Sequence, residues 1–247
     1  MKIVRLTCLL LLSFLQASAQ VTPRDILSRF TIADIRQSLI QQDQWHPFPQ
    51  TPEAWHQQVP DSVMAGIISQ AAAIKDQPFT NIPATVILEY KRTGNRSHYE
   101  SLSFDKRNRL FTLALAESME NKGRFTDAIA NGVWNICEET YWGASAHIGN
   151  QRKGVGLPDV ADPTVDLFGA ETACVLALTD YFTGPKLDKV SPLLRERIYW
   201  EVDHKILHSF ENETTRYGFF GHGRRDVRVN NWDPWVTSNC MMSFLLL

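Results

Sequence analysis

Two segments of this 247-residue chain gather side chains able to do chemistry. The first runs from Trp134 to His147. It offers Glu138 and Glu139, the Tyr141 phenol, the Trp142 indole and the His147 imidazole around Gly143. Carboxylates mixed with aromatic rings suit a carbohydrate cleft, because polar groups bond sugar hydroxyls while rings stack on the apolar sugar faces. A plainer arrangement fits these residue types better: a helix end with Glu138 and Glu139 solvated and Trp134 in the core. The second segment, Gly218 to Trp235, contains His222, Arg224, Arg225, Arg228, Asn230, Asn231, Trp232 and Trp235. Its glycines allow close backbone approach to a ligand. Its arginines form the densest cationic cluster of the chain and can grip a carboxylate or sulfate through paired hydrogen bonds. The alternative is a solvated loop in which Arg228 pairs with Asp226 or Asp233.

Weaker signals point away from metal and nucleotide chemistry. His204 and His208 are one helical turn apart, as metal ligands can be, but lack the glutamate of a zinc protease and an evident third ligand. They read as surface or packing histidines, and no metal or cofactor is expected. Glu117, Glu120 and Asp105 read as a solvated helix face. Asn95-Arg96-Ser97 and Asn212-Glu213-Thr214 match the short glycosylation acceptor pattern. No Gly-x-Ser-x-Gly elbow occurs.

The elements that must position these groups are helical. Apolar periodicity predicts helices over 25–41, 61–75, 82–92, 103–121, 125–138, 170–181 and 191–210, with Val86-Ile87-Leu88 also compatible with a strand. Pro47, Pro49 and Pro52 break the chain at 45–52. Thr183-Gly184-Pro185 reads as a stop, and Ser191-Pro192 as a capped start. Long loops cover 142–162 and 211–235. Helix pairs joined by short turns and separated by long loops imply an all-α array of antiparallel hairpins, able to close into a toroid with its loops on one face. From Val236 to Leu247 runs an apolar stretch, read as a helix with no later element to bury it, so that downstream portions of the fold are expected to be missing.

Residues 1–19 have the pattern of a signal peptide: Lys2 and Arg5, an apolar run through Leu15, and Ala17-Ser18-Ala19 before Gln20. The run is too short for a bilayer span, so a periplasmic or secreted protein is expected. Removing Lys2 and Arg5 from the 25 basic residues leaves 23 against 27 acidic ones, a net charge of −4 that gives no basis for nucleic-acid binding. Cys137, Cys174 and Cys240 then remain, an odd number that excludes a fully paired framework and favours buried thiols.

At three places the chain resembles the heparinase II/III-like polysaccharide lyase family. These are Trp134 to Trp142 with Ala146-His147, Asp166-Leu167-Phe168-Gly169-Ala170-Glu171-Thr172-Ala173, and Asn230-Asn231-Trp232-Asp233-Pro234-Trp235. The resemblance runs from about Ile82 onward. It implies an incomplete (α/α) toroid over 20–247, with the last toroid helices and a β-sandwich domain missing, and β-elimination on a uronate-containing acidic polysaccharide. Masking the uronate charge makes its C5 proton removable, and the base must lie within hydrogen-bond reach. The resemblance matches Asn231, or Asn230, to the carboxylate-binding asparagine and His147 and Tyr141 to the polar cleft loop. It assigns the sugar subsites to Trp232 and Trp235, and an inactive fragment is expected. The alternatives are an α/α-toroid glycoside hydrolase drawing carboxylates from Glu138, Glu139, Asp226 and Asp233, or a non-catalytic acidic-glycan-binding protein.

Overall fold

The computed structural model describes residues 27–41, 44–211 and 231–247, and among them the fold is all-α, without a strand. None of the described helices is long and apolar enough to cross a membrane. The chain divides into two compact units at Trp45/His46. In the first, the expected 25–41 helix is interrupted. A short 3₁₀ turn at Leu27–Arg29 precedes α1, Ile32–Ser38. Thr31 starts α1 afresh. Its hydroxyl accepts from the Asp34 amide, and the Asp34 carboxylate accepts from the Thr31 amide, a reciprocal cap.

The second unit carries α2 (Pro52–Gln58), α3 (Asp61–Ile74), α4 (Ala84–Ile87), α5 (Glu89–Thr93), α6 (Ser97–Glu120), α7 (Thr126–Cys137), α8 (Leu167–Val190), α9 (Leu193–Val202), α10 (His208–Glu211) and α11 (Trp232–Leu246). A π-helical turn, Asp203–Leu207, joins α9 to α10. Packing of α6, α7, α8, α9 and α11 builds the main core around Leu110, Leu113, Ile129, Ile136, Leu176 and Ile198. Burying such side chains is the main stabilising term, roughly 1.5–3 kcal/mol each. A smaller cluster of Trp55, Met64 and Met119 ties α2 and α3 to α6.

Helices α6 and α7 form a tight hairpin. Asn121 ends α6 in the left-handed conformation at φ 55°, and Gly123 continues the turn at φ 77°. Glu117 closes it from inside. Expected on a solvated face, this carboxylate is wholly buried. It accepts from the Gly123 amide (2.6 Å) and the Phe125 amide (3.1 Å), and pairs with Lys186 of α8. The turn amides need an acceptor that the backbone cannot supply, and Glu117 is placed to provide it.

Two further expectations are corrected. Helix α8 does not stop at Thr183-Gly184-Pro185 but runs on to Val190. Beyond the proline, Lys186 reaches Glu117 and Leu187 is fully buried, so tertiary packing outweighs the lost proline hydrogen bond. Gly184 is covered by the Arg195 guanidinium, whose Nε would lie 2.9 Å from any Cβ there. The apolar C-terminal run also has a partner. Helix α11 begins at Trp232, earlier than expected, and seats Val236, Cys240 and Ser243 against the preceding helix α8. The region 82–92 is helical, split into α4 and α5.

Candidate functional site

The loop leaving α7 is held from three sides. Glu139 is nearly buried between Lys106 and Arg107 of α6, with Arg107 Nη1 and Nη2 at 3.2 and 2.5 Å from its two oxygens. Burial alone would push the Glu139 pKa up, but the two cations outweigh it and hold the carboxyl below its ordinary value. Burial in turn lowers the Lys106 pKa, with Glu139 opposing. From the π turn, Lys205 donates to the carbonyls of Cys137 and Glu139 and lies 4.7 Å from the centre of the Trp142 ring. Trp142 is buried and donates to the Ile136 carbonyl at 2.9 Å. The simple picture of a solvated helix end therefore holds for neither neighbour: Glu139 is enclosed, and Trp134 is 48% exposed rather than in the core. Glu138 faces solvent and bridges to Arg197 at 3.2 Å.

Downstream, the chain folds back over Gly143. A Cβ there would overlap the Tyr141 hydroxyl and lie 2.6 Å from Asp166 Oδ1, so this close approach requires glycine. The Tyr141 hydroxyl is buried and makes no hydrogen bond of acceptable geometry within the protein. Burial, with the Asp166 charge nearby, pushes its pKa well above the phenol value, although neighbouring Thr164 slightly favours ionisation.

Asp166 organises the site. It caps α8 by accepting from the Gly169 amide at 2.8 Å. Its other oxygen accepts from the Ala144 amide at 2.9 Å and lies 2.6 Å from His147 Nδ1. Asp166 and His147 are both buried, His147 within a 3₁₀ turn at Ser145–Asn150. The imidazole ring lies 6.3 Å from Phe168 in near-parallel stacking and 4.9 Å from Trp232. The loop around His147 and the start of α11 thus meet in space. Phe168 also packs on Phe104, with ring centroids 4.6 Å apart.

Beside this aromatic row lies a cleft of about 240 Å³, lined by Phe104, Arg107, Asn108, Phe168, Glu171 and Trp235. Half-burial raises the Glu171 pKa, while a hydrogen bond with Trp235 and the Arg107 charge act the other way. A carboxyl so placed holds its proton to a higher pH than an exposed one. Glu171 was not among the candidate side chains of the sequence. The signal that could find it is helical spacing: it lies four residues after Leu167, on the first turns of a helix capped by Asp166.

Of the other candidates, Trp235 is exposed at the cleft. Asn231 is exposed at the N-cap of α11, where its side chain makes no capping hydrogen bond. Asn230, His222, Arg224, Arg225, Arg228 and Asp226 lie outside the described residues, as do the signal-peptide pattern and Asn212-Glu213-Thr214. Both His204 and His208 are exposed, and no group of three or more metal-ligating side chains occurs among the described residues. Cys137, Cys174 and Cys240 are free thiols, the first and last buried and Cys174 half-buried. No protein-family model matches the chain, and no curated protein matches it.

Proposed function

We propose that the protein is an exported, lyase-like protein that binds a uronate-containing acidic glycan where the His147 loop meets the start of α11, in a partial (α/α) toroid. The observation that carries this reading is the 4.9 Å approach of His147 and Trp232, which unites the two segments whose residues suit such a glycan. Trp232 and Trp235 supply ring faces for sugar stacking, and Asn231 supplies an amide donor for the uronate carboxylate. Masking the carboxylate charge is the difficult part of the elimination. Once it is masked, the C5 proton passes to a base, its electron pair forms the C4–C5 double bond, the C4–O bond breaks, and the leaving oxygen takes up a proton. Asp166 fixes the orientation of the His147 imidazole through Nδ1.

Binding without turnover is the second reading. It is favoured by the burial of both proton-moving candidates, His147 and the Tyr141 hydroxyl. Hydrolysis by paired carboxylates is less well supported, because Lys106 and Arg107 hold Glu139 ionised and engaged.

The test uses the protein from Gln20 onward with heparan, alginate and polygalacturonate, following the ultraviolet absorbance of the unsaturated uronide and, separately, polymer binding by calorimetry. Turnover supports the lyase. Binding without turnover, weakened at least about tenfold by Asn231→Ala and by Trp235→Ala, supports the binding protein. Absence of binding to every uronate polymer refutes both.

A further inference from the structure

Along the 138–141 loop lie two adjoining hollows of about 220 and 490 Å³. They share Glu138, Glu139, Thr140, Tyr141, Pro158 and Val160, and so form one groove across the loop. The smaller hollow ends at an aromatic platform. Trp200, 58% exposed, stacks on His204 with centroids 4.7 Å apart and planes 20° from parallel. The π turn begins immediately after α9, so its wider winding sets Lys205 towards the loop carbonyls while His204 supports the Trp200 ring. Such turns recur at functional positions.

The charges of this groove differ from those of the Glu171 cleft. Its two cations are already engaged: Arg197 by Glu138 and Glu201, Lys205 by Glu201 and two carbonyls. Glu138, about half exposed, shares one oxygen with Arg197 at 3.2 Å, and Asp159 is paired with Lys153 at 2.9 Å. A uronate carboxylate entering here would find no uncommitted Arg or Lys among the side chains that line the two hollows. Hydroxyl groups would find acceptors, an ammonium group would find an ion partner, and the apolar face of a sugar ring would find Trp200.

We propose that this groove is a second saccharide-binding site, separate from the Glu171 cleft, that takes uncharged sugars and amino sugars in preference to uronates. Trp200 stacks on the ring, and Glu138 selects the amino substituent. The inference stands on the groove alone and does not require the uronate reading of the other cleft.

Calorimetry and tryptophan fluorescence with glucosamine tetramer, N-acetylglucosamine tetramer and galacturonate tetramer provide the test. The two hexosamine tetramers are expected to bind the wild-type protein. Trp200→Ala should weaken that binding about tenfold or more, the scale expected for losing one aromatic stack. Glu138→Gln should reduce the preference for glucosamine over its acetylated form severalfold. Trp235→Ala, in the other cleft, should leave hexosamine binding unchanged. Trp200 is exposed, so its variant retains the fold, which circular dichroism verifies. Failure of both hexosamine tetramers to bind would overturn the proposal, as would binding indifferent to Trp200→Ala. Tighter binding of galacturonate that depends on Trp200 would overturn the charge argument.

Discussion

Replacing Asp166 by Ala removes three interactions at once, and their sizes can be worked from the geometry. The cap to the Gly169 amide (2.8 Å) is worth about 1 kcal/mol. The Ala144 amide, bonded at 2.9 Å in a buried setting, would be orphaned at a cost of about 1–3 kcal/mol. The 2.6 Å contact with His147 involves a charged group and contributes about 1.5–3 kcal/mol. Neighbouring interactions are not additive, so the expected loss is about 4 kcal/mol, a large part of a typical domain's stability. Asp166→Asn can keep one carbonyl oxygen for the Gly169 cap but turns an amide donor towards the Ala144 amide. Its expected cost is smaller, about 2 kcal/mol. Urea denaturation followed by circular dichroism measures both. Because His147 touches Trp232, the tryptophan emission of folded Asp166→Ala should also shift, and binding of uronate polymer should weaken. A loss below about 1 kcal/mol, with unchanged emission, would refute the view that Asp166 holds the two segments together.

Three other outcomes are expected. Glu117→Ala should destabilise by about 3–5 kcal/mol, because it strands two turn amides and the Lys186 ammonium, while Glu117→Gln should cost less; denaturation midpoints decide. Gly143→Ala should lower the melting temperature and disturb the Tyr141–Asp166 packing, since a Cβ overlaps the Tyr141 hydroxyl, whereas Gly66→Ala, with open space around it, should not destabilise. For Glu171, the raised folded-state pKa means that the native protein binds its proton more tightly than the unfolded chain. Stability contributed by this group is therefore fully present below the ordinary value of 4.5 and is lost as pH rises through the folded pKa; Glu171→Gln should remove that part of the pH dependence, measured by urea titrations across the acidic range.

Helix content was legible wherever a strong apolar stripe and clear end signals coincide. The expected 61–75 and 125–138 match α3 and α7 to within a residue, because Ile129, Val133 and Ile136 mark one buried face. Where local and tertiary preferences compete, the reading of local signals failed. Gly184-Pro185 is a stop in isolation, yet α8 continues because Leu187 and Lys186 find partners beyond it. Glu117 carries no mark that separates it from Glu120, but only Glu117 points at the amides of the α6–α7 turn.

The types of groups available for chemistry were set by the sequence itself, as was the all-α class, since both follow from residue identity and short-range periodicity. Which of those groups meet was decided only in three dimensions. Asp166 gathers the Ala144 amide, His147 and the α8 cap on one carboxylate, and the packing of α11 on α8 brings Trp232 to His147 and Trp235 to Glu171. Contacts between segments so distant along the chain depend on how whole helices pack, and no local pattern of residues encodes that.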